Sequence, residues 1–302
     1  MQSESPRVLT IGGFDGVHLG HQQIVARLRQ VAEELNCRAT LVTFEPHPAQ
    51  FLQPEFPYLL TPLSEKLSLL TELGVDEVVV LRFDAKLRDV EPEEFVKRYL
   101  VSELSPVAVV IGADHRFGKG ARGGLQLLVR ILGEYQVRVE VVPEVVHLGA
   151  PVRATRVREH LLLGHIRLAD ELLGRAYAVS GRVVPGLGIG RRLGFPTINL
   201  EVVYPDKLLP PEGVYAVTAE ISARIFPGVA NIGFRPTFSE RPRGLEVHLF
   251  DFSDDVPTGE RLTVRFYEYL RPEQRFPDAR SLGEQIKRDA ERARQYFESG
   301  AR

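Results

Sequence analysis

VLTIGGFDGVHLGH, residues 8–21, is the stretch that decides the fold of the first half of the chain. Its first four residues are apolar and strand-like, and glycines follow them. A helix is predicted from Gly20 to Leu35, because apolar side chains recur there at helical spacing. A strand that turns through glycines into a helix places the turn at the carboxyl edge of a parallel sheet, where α/β proteins bind their ligands.

The rest of the first half repeats this alternation of strand and helix. The predicted strands are Ala39–Phe44, Glu77–Phe83, Val107–Gly112 and Val137–Val142, and the predicted helices are Thr61–Leu73, Pro92–Leu104 and Leu125–Tyr135. Near-continuous apolar strands in βαβ order are typical of a mainly parallel sheet that helices cover on both faces. We therefore predict an α/β domain and place it at residues 1–170.

The second half has the pattern of an all-β domain. Its strand-like segments, separated by Gly and Pro turns, are Tyr177–Val184, Gly213–Ile221, Gly228–Ile232, Leu245–Phe252 and Arg261–Tyr269. Such a series predicts an antiparallel barrel or sandwich. One helix, Ser281–Phe297, follows, and the second domain is placed at residues 171–302.

The composition narrows the class of function. The 302 residues suffice for two ordinary domains, and 44% apolar with 26% charged residues is typical of a globular protein. The net charge of −2 gives no basic field for nucleic acid, and no apolar run is long enough to span a membrane. The polar start of the chain lacks a signal peptide and Cys37 is the single cysteine, so we expect a cytoplasmic protein. The oligomeric state stays open.

The glycine-rich turn at residues 12–21 carries the first group of candidate site residues. Backbone N–H groups at the start of a helix attract phosphate, and glycines let a ligand approach the backbone closely. His18 and His21 are three residues apart, so one helical face can present both imidazoles to a triphosphate. The alternative is a tight turn with two surface histidines. Zinc is disfavoured, because no third ligand is spaced nearby.

A second group follows the predicted strand at residues 177–184. Gly186, Gly188 and Gly190 can form a flexible phosphate-binding loop, although hairpin turns use the same residues. Thr197 and Asn199 are two apart in an extended segment, so their side chains point the same way and offer hard oxygen ligands to Mg²⁺. A polar edge strand is the alternative for this segment.

Glu246 lies on a strand whose other face is apolar. A carboxylate at this place can accept the proton of an attacking hydroxyl, although a Glu on an alternating strand is often only solvated. Asparagine is rare in the chain, and two of its three copies, Asn199 and Asn231, lie in segments rich in Gly or flanked by Pro. This rarity favours a role for their amides.

Several motifs together resemble one enzyme family. GFDGVHLGHQ at residues 13–22 resembles the H-x-G-H motif of nucleotidyltransferases, in the form that bacterial bifunctional riboflavin kinase/FAD synthetases have. TFEPHP at 43–48 and GADHRFG at 112–118 resemble two further loops of the same domain. GRRLGFPTINL at 190–200, LEVHLFDF at 245–252 and LRPEQRF at 270–276 resemble flavokinase segments. The resemblance runs from about Val8 to the end of the chain.

This resemblance implies the fold, the reactions and the site residues. It implies a Rossmann-like nucleotidyltransferase domain and a flavokinase barrel, which convert riboflavin to FMN and FMN to FAD, each with ATP and Mg²⁺. The implied catalytic residues are Glu246, His18 and His21, and the implied metal ligands are Thr197 and Asn199. The implied flavin-binding residues are Asp114, Phe117 and Arg271. The ATP- and phosphate-binding residues are Gly13, Phe14, Asp15, Gly16, Thr155, Arg156, Arg158, Gly186, Gly188, Gly190 and Arg191.

The chain departs from the family pattern at the end of the first domain. The family's SSTRIR segment reads RATRVR at residues 153–158, so Arg153 and Ala154 replace two serines. Serine hydroxyls at a helix start cap the helix and bond phosphate oxygens, so their loss can weaken ATP binding. Arg153 can supply a phosphate contact instead, or simply begin a basic helix. A riboflavin kinase with a weak adenylyltransferase half is therefore an alternative, and a flavin-binding regulatory module without turnover is another.

Overall fold

The computed structural model describes residues 6–53, 58–186, 188–222, 224–234, 243–252 and 254–300. The chain divides into two compact units, Met1–Ala154 and Thr155–Arg302. This division groups two helices, α7 (Ala154–Leu162) and α8 (Ile166–Leu173), mainly with the second unit; the domain boundary at 170/171 stays a prediction. Within the described ranges, no helix has both the length and the apolar character needed to cross a membrane.

The first unit is built on a five-stranded parallel sheet, which confirms the predicted α/β class. Its strands are β1 (Arg7–Ile11), β2 (Arg38–Glu45), β3 (Glu77–Arg82), β4 (Pro106–Gly112) and β5 (Arg138–Val142). Their order in the sheet is β3-β2-β1-β4-β5. The helices are α1 (Leu19–Leu35), α2 (Pro48–Leu52), α3 (Leu63–Glu72), α4 (Ala85–Arg88), α5 (Pro92–Phe95) and α6 (Leu125–Glu134). A two-stranded hairpin, β6 (Val146–His147) and β7 (Ala150–Pro151), follows the sheet.

Helices cover both faces of this sheet. Consecutive residues of a strand point to opposite faces, so neighbouring residues of β1 pack against different helices. Val8 of β1 lies in a buried cluster with Leu28 and Val31 of α1. The next residue, Leu9, lies in a different buried cluster that includes Leu128 of α6. An apolar strand with no polar alternation therefore places a core on each side of the sheet.

Two predicted helices differ from the observed ones for local reasons. Thr61 does not cap α3; its hydroxyl instead accepts from the N–H of Gly16 at 2.8 Å, and the helix begins at Leu63. The predicted helix Pro92–Leu104 is α5 followed by a π-helical segment, Val96–Ser102. In that wider segment the Ser102 hydroxyl donates to the carbonyl of Lys97, five residues back, at 2.8 Å.

The second unit contains a closed six-stranded antiparallel barrel, which decides between the predicted barrel and sandwich. Its strands are β8 (Tyr177–Val184), β9 (Ile198–Val202), β10 (Gly213–Ile221), β11 (Arg224–Phe234), β12 (Arg243–Leu249) and β13 (Arg261–Arg271). They close in the order β10-β11-β12-β9-β8-β13. A short helix α9 (Ile189–Arg192) interrupts the β8–β9 connection, and α10 (Ala279–Glu298) follows the barrel.

The barrel has an apolar interior and an outer helix. Leu245 and Val247 of β12 are fully buried, while Glu246 between them is half-buried. Helix α10 packs Ala290 and Ala293 into a separate cluster on the barrel. The predicted strand at 245–252 ends earlier, at Leu249, and residue 251 just beyond it has a left-handed backbone (φ 55°) that no strand continues through.

Candidate active sites

A cavity of about 270 Å³ lies at the carboxyl edge of the parallel sheet. Ile11, Gly112 and Val142, at the ends of three neighbouring strands, all line it. The chain leaves β1 toward β2 on one side and returns as β4 on the other, so the cavity lies at the switch point of the sheet. This is where ligands bind in open α/β sheets, as the first motif predicts.

The two predicted histidines lie together in this cavity. His18 precedes the first turn of α1, and its ring stacks on that of His21 with centroids 3.7 Å apart and planes at 19°. The Phe14 ring lies 4.9 Å from the His21 ring, and Gly13 also lines the cavity. His18 is only 6% exposed, so the alternative of two surface histidines fails for it.

Asp15 and Gly16 belong to the same turn but do not line the cavity. The Asp15 carboxylate is 2% exposed and accepts from the backbone N–H groups of Leu60 at 3.1 Å and Thr61 at 2.9 Å. It therefore fixes the shape of the turn from behind. The phosphate-binding roles that the resemblance implies for Asp15 and Gly16 stay predictions.

The opposite wall of the cavity carries three charged side chains. Arg153 forms an ion pair with Glu144 and lies 3.5 Å from the Asp114 carboxylate. All three residues line the cavity, and Arg153 is exposed. Arg153 is therefore paired through Nη2 with two carboxylates that line the cavity.

The remaining predicted residues of this half do not line the cavity. Phe117 is buried beside Phe95, with ring centroids 6.1 Å apart. Thr155, Arg156 and Arg158 lie in the first turns of α7, within the second compact unit. Their roles in binding flavin and phosphate stay predictions.

A second cavity, of about 170 Å³, lies on the barrel. Thr197, Asn199, Gly186 and Arg191 line it, so four of the predicted kinase residues are brought together. Arg191 forms an exposed ion pair with Asp255 across the cavity wall, at 2.7 Å. The two predicted metal ligands, Thr197 and Asn199, therefore face the same cavity.

The predicted glycine loop is more ordered than a flexible flap. Residues 189–192 form helix α9, and Gly188 precedes it with a left-handed backbone (φ 65°). Gly190 lies within this helix; neither it nor Gly188 lines the cavity. Gly186 does, and it lies so close to Asn199 that a Cβ there would come within 2.1 Å of the amide nitrogen. A side chain at position 186 would therefore displace this amide.

Three polar side chains form a row across neighbouring strands of the barrel. Glu246 of β12 is the direct partner of Asn199 on β9 and of Asn231 on β11. Directly opposed residues of antiparallel strands point to the same face, with Cβ atoms roughly 5 Å apart. The row therefore places one carboxylate beside the amide that lines the cavity. Asn199 is paired with both β12 and β8, so the edge-strand alternative does not hold for this residue.

Comparison with known proteins matches each half of the chain to a described family. Residues 1–156 match the family model described as FAD synthetase, and residues 173–297 match the model described as riboflavin kinase. The chain belongs to the bifunctional riboflavin kinase/FMN adenylyltransferase family. Both functional domains are present, which confirms the predicted bifunctional enzyme over the kinase-only alternative.

Relatives of that name match the bifunctional chain over nearly its whole length. The protein of Pseudomonas fluorescens is 40% identical over 95% of this chain and 92% of its own length. The Escherichia coli K12 protein is 38% identical over 98% and 95%, and the Bacillus subtilis protein is 34% identical over 98% and 94%. A crystal structure described as a macrolide-efflux protein from Streptococcus pneumoniae superposes with a TM-score of 0.87, at 29% identity, over 97% of this chain and 95% of that one.

The structure places Arg271, predicted to bind flavin, in a structural ion pair of the kinase unit. Its guanidinium donates to the Asp289 carboxylate of α10 from Nε and Nη2, and from Nη1 to the carbonyl of Pro272. Asp289 is 6% exposed. This arrangement joins the end of β13 to α10, and the flavin-binding role stays a prediction.

Two further histidines lie beside the sites, within motifs that gave them no role. His115 lines the adenylyltransferase cavity, and burial lowers its pKa to about 4, so its imidazole is neutral at pH 7. His248 lies two residues beyond Glu246, and its Nδ1 lies 2.8 Å from the carbonyl of Pro196. A carbonyl only accepts, so Nδ1 carries the proton and holds the loop that leads to Thr197. Their place inside the quoted segments GADHRFG and LEVHLFDF was the sequence signal for both histidines.

Proposed function

We propose that Glu246 is the general base of the riboflavin kinase reaction. The row Asn199–Glu246–Asn231 supports this role, because it presents a half-buried carboxylate next to the cavity-lining amide. Glu246 accepts the proton of the riboflavin 5′-hydroxyl as that oxygen attacks the γ-phosphorus of ATP. The bond from the γ-phosphorus to the β-phosphate oxygen breaks, and FMN and ADP are released.

We infer that Thr197 and Asn199 hold Mg²⁺ with the phosphates of ATP. Their hydroxyl and amide oxygens are hard donors, and both residues line the same cavity. The amide of Asn199 lies close to the backbone of Gly186, which has no side chain to displace it. This donor set fits a magnesium ion that keeps most of its coordination for phosphate and water. When bound, the ion neutralises charge on the transferring phosphoryl group.

We further propose that the first unit transfers the adenylyl group of ATP to FMN. The stacked histidines in the cavity support this, because two imidazoles can donate to phosphate oxygens as charge develops at the α-phosphorus. An oxygen of the FMN phosphate attacks that phosphorus, and pyrophosphate leaves with the broken bond. The nucleophile is already an anion, so positioning and charge stabilisation suffice without a base.

The two activities are tested by product analysis on the full chain. Riboflavin with ATP and Mg²⁺ should give ADP and FMN, and then FAD. FMN with ATP and Mg²⁺ should give FAD and pyrophosphate in equal amounts. If the riboflavin assay gave ADP but the FMN assay gave no pyrophosphate, the chain would catalyse the kinase reaction alone.

Removal of Mg²⁺ should abolish FMN formation. The protein is treated with excess EDTA and assayed with riboflavin and ATP, and the ion is then restored by titration with MgCl₂. We expect no measurable FMN under EDTA and full recovery after Mg²⁺ addition, because the phosphates need a counter-charge at the Thr197–Asn199 site. An unchanged rate in EDTA would contradict the metal assignment.

Gly186→Ala should weaken use of MgATP by the kinase unit. The added Cβ overlaps the Asn199 amide and displaces it, so we expect a loss of about 10–100-fold in kcat/KM for MgATP in FMN formation. Gly283→Ala on α10 is the matched control, because a Cβ there meets no atom within 4 Å. A Gly186→Ala enzyme with normal MgATP kinetics would show that Asn199 does not hold the metal.

A further inference from the structure

Lys66 of α3 is a buried amine directly behind the glycine turn of the adenylyltransferase cavity. Its side chain is 2% exposed. Nζ donates to the carbonyl oxygen of Gly13 at 2.9 Å and to the hydroxyl oxygen of Thr43, at the end of β2, at 3.1 Å. Gly13 itself lines the cavity. Gly13 therefore lies between Lys66 and the cavity.

This amine has no counter-ion of its own in the part of the chain that the structure describes. Its hydrogen-bond acceptors are neutral oxygens, and no carboxylate lies within 4.0 Å of Nζ there. Asp15 and Glu45 attract the charge only from a longer distance, and burial lowers the pKa of Lys66. The Asp15 carboxylate is occupied by the N–H groups of Leu60 and Thr61. A buried ammonium without a paired anion is costly, so folding alone gives little reason for it.

The cavity supplies the missing negative charge when ATP is bound. The triphosphate carries several negative charges, and the space behind Gly13 is shielded from solvent, so a charge placed there is weakly screened. Hydrogen bonds from Lys66 and from the Thr43 hydroxyl, the latter at 3.3 Å, also hold the Gly13 carbonyl on the side of the turn away from an incoming phosphate. Both effects act on the turn and not on the reacting atoms.

We propose that Lys66 is a positioning residue of the adenylyltransferase site, whose buried charge takes the triphosphate of ATP as its counter-ion across the Gly13 turn. This inference rests on the proposed site at His18 and His21. Helix α3 thereby takes part in binding ATP, although it belongs to no quoted motif and none of its residues lines the cavity.

The test compares Lys66→Met and Lys66→Gln in the full chain. Lys66→Met keeps the apolar stem without the charge, and Lys66→Gln keeps a hydrogen-bond donor without the charge. With FMN as the substrate, we expect the KM for ATP in FAD formation to rise at least tenfold in both variants. The melting temperature of the ligand-free protein should be unchanged or higher, because an unpaired buried charge has been removed. Riboflavin phosphorylation by the barrel unit should not change.

Lys207→Met is the matched control, because Lys207 is also buried but lies in the barrel unit. It should leave the KM for ATP in FAD formation unaltered. An unchanged KM for ATP in Lys66→Gln would overturn the proposal. The proposal would also fail if Lys66→Met lost FAD formation only because the variant had a lower melting temperature. If His21→Ala lowers FAD formation while the Lys66 variants do not, the histidine site stands and only the role of Lys66 fails.

Discussion

Glu246→Gln should lower riboflavin phosphorylation by about 10²–10⁴-fold, which is the usual contribution of general acid–base catalysis. The glutamine side chain has nearly the same shape and can still pair across the strands with Asn199 and Asn231, so the barrel should stay intact. It cannot accept the proton of the 5′-hydroxyl. The loss should therefore appear in kcat, with little change in the KM for ATP, and is measured by ADP release with saturating riboflavin.

Two comparisons make this prediction specific. Glu201→Gln removes an exposed carboxylate from the neighbouring strand β9 and should leave phosphorylation unchanged. FAD formation from added FMN should also be unchanged in Glu246→Gln, because that reaction uses the cavity of the first unit. A Glu246→Gln enzyme with the full kinase rate would remove the base assignment, and would leave the metal ligands as the main contribution of the barrel.

His21→Ala should lower FAD formation from FMN by about 10²–10³-fold, the usual effect of losing one preorganised donor to a developing charge. The His21 ring lies between those of Phe14 and His18, so its removal deletes a donor and also frees the His18 ring to move. The readout is pyrophosphate release at saturating FMN and ATP. FMN formation from riboflavin in the same sample is the internal control, and its rate should be unaltered.

His21→Gln separates the chemistry of the ring from its packing. The glutamine amide can still donate a hydrogen bond to a phosphate oxygen, so this variant should retain more FAD formation than His21→Ala. Equal and nearly normal rates in both variants would exclude His21 from the reaction. Equal and complete losses would indicate that the ring stack, and not the hydrogen bond, is what the site needs.

The structure gives Arg153 two partners in this chain. At the position where the motif of the resembled family has serine, Arg153 is held by Glu144 and lies near Asp114 in the cavity wall. The cavity therefore has a carboxylate pair that one guanidinium bridges, instead of hydroxyls directed at a ligand. The motif alone could indicate the lost hydroxyls, but it could not show that the arginine already has partners, because Glu144 is not part of any motif.

The fold was predictable where a local pattern fixes it. Apolar runs with Gly and Pro boundaries predicted the five parallel strands, and apolar residues at helical spacing predicted the main helices, because both patterns are local. The strand at residues 198–202 was recognised only as an extended segment. Its pairing with β8 and β12 depends on closure of the barrel, which no short-range pattern contains.

The site residues divide in the same way. Gly13, His18 and His21 could be named from one continuous segment, because the turn and the first turn of α1 bring them together by themselves. Asn199, Glu246 and Asn231 come from three strands, and only the barrel register makes them neighbours. Phe117 and Arg271 match motifs of the family, yet the fold gives them a core contact and an ion pair.

VLTIGGFDGVHLGH by itself determined that a glycine turn joins a strand to a helix, because glycine conformation and helical spacing are local properties. What surrounds that turn was decided only by the tertiary structure. Asp15 lies behind the turn and not in the cavity, and Lys66 reaches Gly13 from a helix more than fifty residues later in the chain. The burial of a side chain and the charges around it depend on which segments pack together. No single stretch of the sequence determines that packing.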